Sequence, residues 1–125
     1  ENKSKNLNVI LTGYISNSDV KQLYMMNDFD LFVNMSLSEG IPVSIMEAIS
    51  FGIPIIATNV GGNAEIVNDE TGVLIPVIID QAAFNETVSD IMNKMDILKI
   101  STILCYQNEF NADKNYHCFY NQITL

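Results

Sequence analysis

The sequence predicts an α/β fold: a parallel sheet with helices on its faces. Three observations carry that reading. First, short runs rich in Val, Ile and Leu alternate along the chain with segments of helical period. Second, those runs are close to continuously apolar, which marks strands covered on both faces and hence a parallel sheet. Third, Gly and Pro punctuate the chain between them, at Gly13, Gly52, Gly61, Gly62 and Pro76. With 125 residues, 48% of them hydrophobic, the chain has the material for one domain and its core.

The elements follow in order. Leu7–Thr12 (LNVILT) reads as a buried strand closed by Gly13. Ser18 or Asn17 caps a helix over Asp19–Asn27, with Val20, Leu23 and Tyr24 on its inner face. Asp30–Asn34 (DLFVN) is the second strand, followed by a polar loop, Met35–Gly40. Pro42, which lacks an N–H, starts a helix that runs to Phe51 and stops at Gly52. Its stripe Ile45, Met46 and Ile49 faces the core. Pro54–Thr58 (PIIAT) is the third strand, Asn63 caps a short helix over Ala64–Val67, and Val73–Ile75 is the fourth strand. The region 80–125 reads as helical: Gln81–Met95, Asp96–Gln107 and Ala112–Ile123. Residues 1–6 are expected to be flexible, and the whole is taken as one partial domain of about four strands.

Composition narrows the function. The net charge is −9, from 15 acids against six Lys and no Arg, which argues against binding nucleic acid. A chain without guanidinium groups can meet a phosphate only with Lys, helix N-termini and backbone amides. His117 is the sole His, and Cys105 and Cys118 lack a CxxC spacing, so no metal centre is expected and both thiols are read as free and buried. No apolar stretch reaches the roughly 20 residues of a membrane span. The opening Glu-Asn-Lys-Ser-Lys-Asn has no apolar core of a signal peptide.

In parallel sheets ligands bind beyond the carboxyl ends of the strands. That directs attention to the loops Gly13–Ser18, Met35–Pro42 and Asn59–Asn63. The second is the richest. Glu39 precedes the helix, Gly40 allows close backbone approach, and Ile41 and Pro42 are poor caps. The helix start therefore offers the amides of Val43 and Ser44 to an anion, unless Ser38 or Glu39 folds back over it. Glu47 follows about 7 Å further along the axis, off the apolar stripe. Carboxylates accept hydrogen bonds from hydroxyls, so two of them flanking an anion site fit a molecule with hydroxyls at both ends and phosphate between, a nucleotide-diphosphate-sugar.

The stretch FVNMSLSEGIPVSIMEAISFGIPIIATNVGGNAEIVNDETGVLIP resembles the signature of retaining GT-B glycosyltransferases of the family 4, group 1 kind. Glu39 and Glu47 match its Glu-x7-Glu motif, and Glu47-Ala48 with Gly52 and Pro54 matches a second conserved pattern of that family. Gly61-Gly62, Glu65-Ile66-Val67 and Thr71-Gly72 match further ones. The likeness is clear over residues 7–80 and looser beyond.

The resemblance implies a Rossmann-like half of a GT-B donor domain. It assigns Glu39, Gly40 and Ile41 to the donor sugar, Val43 and Ser44 to phosphate through their amides, and Glu47 to the ribose. It places Gly13, Tyr14 and Ile15 near the base, and brings Thr58, Asn59 and Gly62 close without a role. It implies no cofactor and no metal, with a nucleotide-sugar as substrate. The acceptor, a glycan or glycolipid, belongs to an N-terminal domain expected to lie outside the chain. Also outside are two strand–helix units carrying the Arg and Lys that neutralise the diphosphate. The location implied is cytoplasmic, peripheral at the inner membrane face.

In the family's strand order 3-2-1-4-5-6 this chain would begin at strand 3, whose usual neighbour is missing. The Val9 strand is then expected to fill the vacancy beside Asp30–Asn34, to pair with another chain, or to sit detached, and the exposed edge favours self-association. Two other readings are a truncated binding or oligomerisation module and a different doubly wound protein, such as a dinucleotide enzyme. The second is disfavoured because no G-x-G-x-x-G follows a strand.

Overall fold

The computed structural model describes residues 8–123. Helix α1 (Asn17–Met26) leads to strand β1 (Phe32–Asn34), helix α2 (Val43–Ser50), strand β2 (Ile55–Thr58), the short helix α3 (Asn63–Ile66) and strand β3 (Gly72–Ile75). Helices α4 (Gln81–Met92) and α5 (Met95–Cys105), a π-helical turn over Tyr106–Phe110 and helix α6 (Ala112–Ile123) complete the chain. The three strands are parallel in the order β1-β2-β3, with Asn34 opposite Ala57 and Thr58 opposite Ile75.

β2 is central and buried along its whole length. Its side chains alternate between two cores, as the strand period requires. Ile55 and Ala57 pack with Ile45, Ala48 and Ile49 of α2 and with Ile66 and Val67. Ile56, pointing the other way, packs with Ile75, Ile91 of α4 and Leu98 of α5. The continuously apolar strand thus lies between two helical layers. α2 ends where expected: Gly52 donates its N–H to Ile49 and takes a φ of +73°, which a residue with a Cβ adopts only under strain.

The sheet has three strands where four were expected. Residues 8–12 of the Leu7–Thr12 run are irregular, with Val9, Ile10 and Leu11 exposed at 62%, 78% and 91%, and Leu7 lies outside the described residues. Among the described residues this segment does not fill the vacancy beside β1. A strand exists only by pairing, and residues 8–12 make no ladder with β1. The free side of β1 borders an apolar cavity of about 290 Å³, whose lining includes Ile15, Leu23, Tyr24, Leu31, Phe32 and Ile53.

Boundaries shift elsewhere. Ser16, not Asn17 or Ser18, caps α1 by accepting from the Asp19 amide. Asn63 opens α3 rather than capping it; its Nδ2 donates to the Thr58 carbonyl at 2.8 Å. Asn93–Lys94 separates α4 from α5 two residues earlier than the pattern suggested. Cys105 is buried as expected, but Cys118, on α6, is exposed. The expected flexibility of residues 1–6 lies outside the described residues. Among the described residues no helix is long and apolar enough to cross a membrane.

Candidate functional site

The parallel sheet sends the loops after β1 and β2 out of the same edge, its carboxyl end. The two loops touch through backbone. The Gly62 amide donates to the Gly40 carbonyl at 3.0 Å. A Cβ on Gly61 would lie 1.8 Å from the Glu39 carbonyl oxygen, and one on Gly62 would lie 2.5 Å from that of Gly40. Gly61 also has a φ of +49°. The Thr58 hydroxyl, buried at the end of β2, donates to the Ser36 carbonyl at 2.5 Å. The diglycine and Thr58 thus hold the Glu39 loop from behind. The sequence placed Thr58 and Gly62 nearby without a task, and this contact is their task; the pair of adjacent glycines was the signal.

Glu39 does not fold back to cap α2, and Ser38 does not either, since the helix start has no side-chain cap. Instead both protein donors to Glu39 reach one oxygen, Oε1: Ser36 Oγ at 2.5 Å and Asn34 Nδ2 at 3.1 Å. The Ser36 hydroxyl first, and the Asn34 amide after it, hold the Glu39 carboxyl below the ordinary carboxylate range. At neutral pH it is charged and accepts only.

Pro42 sits at the N-cap rather than at the first helical position, with φ −79° and ψ 87°, and its carbonyl accepts from Ile45 and Met46. Among the described residues the amides of Val43 and Ser44 donate to nothing. Ile41 and Val43 are exposed at 73% and 61%, so the open helix start faces solvent. A helix terminus so placed attracts negative charge.

Glu47 lies one turn on, its side chain 19% exposed. It shows the same one-sided pattern: Asn17 Nδ2 of α1 donates to Oε1, and Lys21 Nζ stands 3.8 Å from that oxygen. Among the described residues Oε2 of both Glu39 and Glu47 has no hydrogen-bond partner. A cavity of about 250 Å³ adjoins Glu47, lined also by Lys21, Ser50, Tyr106 and Phe110, and by no residue of the Met35–Pro42 loop. Gly13, Tyr14 and Ile15 are not drawn to the loop by any hydrogen bond among the described residues; Tyr14 is 96% exposed and Ile15 lines the apolar cavity beside β1. Asn17, Lys21, Asn34 and Ser36 were missed from sequence. Asn34 and Ser36 stand within five residues of Glu39 and were open to discovery by proximity; Asn17 is thirty residues from Glu47 and carried no local signal. No group of three or more His, Cys, Asp or Glu able to hold a metal occurs among the described residues.

The parallel sheet with helices on both faces is a Rossmann-like α/β layer of the GT-B type. The backbone is similar to sucrose-phosphate synthase from Thermosynechococcus elongatus, with a TM-score of 0.68 at 24% identity over 90% of this chain and 29% of that one. The family model for glycosyl transferases group 1 matches residues 1–117, and the chain belongs to that family.

Protein CapJ of Staphylococcus aureus is 41% identical over 63 residues, 50% of this chain and 16% of its own length. A UDP-Gal:alpha-D-GlcNAc-diphosphoundecaprenol alpha-1,3-galactosyltransferase of Escherichia coli is 49% identical over 41 residues, 33% of this chain and 11% of its own length. The chain thus spans less than a third of each protein it is compared with here.

Proposed function

We propose that this chain is the donor-gripping part of a glycosyltransferase that moves a sugar, with retention, from a nucleotide-sugar to a glycan or lipid-linked acceptor. One observation carries the reading. Two carboxylates, each with Oε1 tied to the protein and, among the described residues, Oε2 without a partner, bracket the uncapped start of α2 along the chain, Glu39 in the loop before it and Glu47 one turn into it. Glu39, with the backbone at Gly40 and Ile41, receives hydroxyls of the sugar. The amides of Val43 and Ser44 receive phosphate, and Glu47 receives the ribose. Gly13, Tyr14 and Ile15 border the base only once a ligand draws that segment in.

Neither carboxylate is assigned as a general base. The leaving diphosphate is stabilised by helix dipole and cationic groups without an obligatory metal. The E. coli relative, whose name specifies a UDP-galactose donor and a lipid-diphosphate acceptor, supports an acceptor of that chemistry. Such acceptors place the whole enzyme in the cytoplasm at the inner membrane face.

Calorimetric titration with UDP-, GDP- and ADP-sugars tests the site. Weak binding to one of them is expected, reduced about ten- to a hundredfold by Glu47→Ala, the scale of a hydrogen bond to a charged group. Affinity unchanged in that variant would sink the ribose assignment.

A second reading, binding without turnover, is favoured by the pairing of Lys21 with Glu47, which draws that cation away from a diphosphate. Assayed alone, the chain is expected to transfer no sugar to any acceptor, and measurable transfer overturns this second reading.

A further inference from the structure

We propose that Asn17 is the positioning residue for Glu47: it fixes one carboxylate oxygen so that the other is presented to the ribose hydroxyls. The inference rests on the donor-site reading of Glu47. Asn17 opens α1, and the helix start is secured independently by Ser16, whose hydroxyl accepts from the Asp19 amide. Asn17 is exposed, and among the described residues its side chain makes one hydrogen bond, from Nδ2 to Glu47 Oε1. The bond therefore serves Glu47 and not the helix.

Lys21, one turn further along α1, bears on the same oxygen at 3.8 Å, beyond hydrogen-bond reach, so it adds attraction without direction. A neutral amide donor sets the orientation of the carboxylate and leaves its charge in place. The pattern repeats at Glu39, where Asn34 and Ser36 also converge on Oε1. In both cases a polar side chain anchors one oxygen and the other stays open.

The experiment uses the full chain and UDP, GDP and ADP, each with its 2′,3′-dideoxy counterpart, titrated into the unmodified protein, Glu47→Ala, Asn17→Ala and Asn17→Asp. Asn17→Ala is expected to weaken the best-bound ribonucleotide roughly three- to tenfold. Its dideoxy counterpart, which has no diol to present to Oε2, should bind both proteins alike. Asn17→Asp, which sets a like charge against Glu47, should weaken the ribonucleotide further.

Equal losses for the ribo and dideoxy forms, or no loss in Asn17→Ala while Glu47→Ala binds poorly, overturn the role of Asn17 and leave the donor site standing. No loss in Glu47→Ala, or no binding to the unmodified chain, overturns the donor site itself. The tether is read separately by NMR. The Asn17 side-chain amide signals should move in Glu47→Ala and stay in place in Glu39→Ala, and signals unmoved by Glu47→Ala overturn the proposal whatever the nucleotides do.

Discussion

Ser36 gives the most direct test at the scale of single residues. Its hydroxyl is the main cause holding the Glu39 carboxyl below the ordinary carboxylate range. A carboxyl lowered in the folded state favours that state above the ordinary range and loses the contribution as pH falls through its lowered value. Ser36→Ala should therefore raise the Glu39 titration toward the ordinary range, followed by carboxyl ¹³C NMR, with Asn34 keeping part of the depression. An unmoved titration would show that the Ser36 contact is not formed in solution. The spacing of Glu39 and Glu47 was legible in the sequence because it is local and both are charged. Their anchors were legible only in part. Ser36 and Asn34 sit in the same loop, whereas Asn17 meets Glu47 only after α1 and α2 are placed by β1 and the core between them.

Among the elements, those whose residues dictate their own conformation were read closely. α2 was anticipated from Pro42 and Gly52, and β2 from its unbroken apolar run. Elements that depend on a partner were read less well. Leu7–Thr12 has strand composition, but residues 8–12 pair with no strand among the described residues. The π-helical turn Tyr106–Phe110 replaces the end of a predicted helix as Tyr106 and Phe110 pack against the α2 side of the sheet. The turn before β3 supplies a stability test. The Thr71 hydroxyl, fully buried, donates to the Ile66 carbonyl at 2.8 Å and accepts from the Asn68 amide at 3.0 Å. Thr71→Val keeps the shape and strands both backbone groups, so urea denaturation should show a loss of about 1–3 kcal/mol. A smaller loss would mean that water reaches the turn.

The whole molecule is uneven in its closure. β2 is enclosed, while among the described residues β1 has one unpaired edge, the apolar cavity is lined by its Phe32 and Val33, and Val33 is 42% exposed. Edges of this kind pair with other chains. We propose that the chain self-associates through β1. Sedimentation velocity should then show concentration-dependent association, suppressed by Val33→Lys, whose charge on the edge strand opposes pairing; a monomer at every concentration would remove the proposal. The opposite end of the sheet is fixed in a different manner. The Glu39 loop is held at its backbone carbonyls, by the Gly62 amide, the Thr58 hydroxyl and the close approach of Gly61, and not by the outward side chains of Met35, Leu37, Ser38 and Ile41. Mutation can therefore rewrite those four positions while the acidic group stays where it is. A loop built this way can change its outward chemistry while the geometry of its acid is kept.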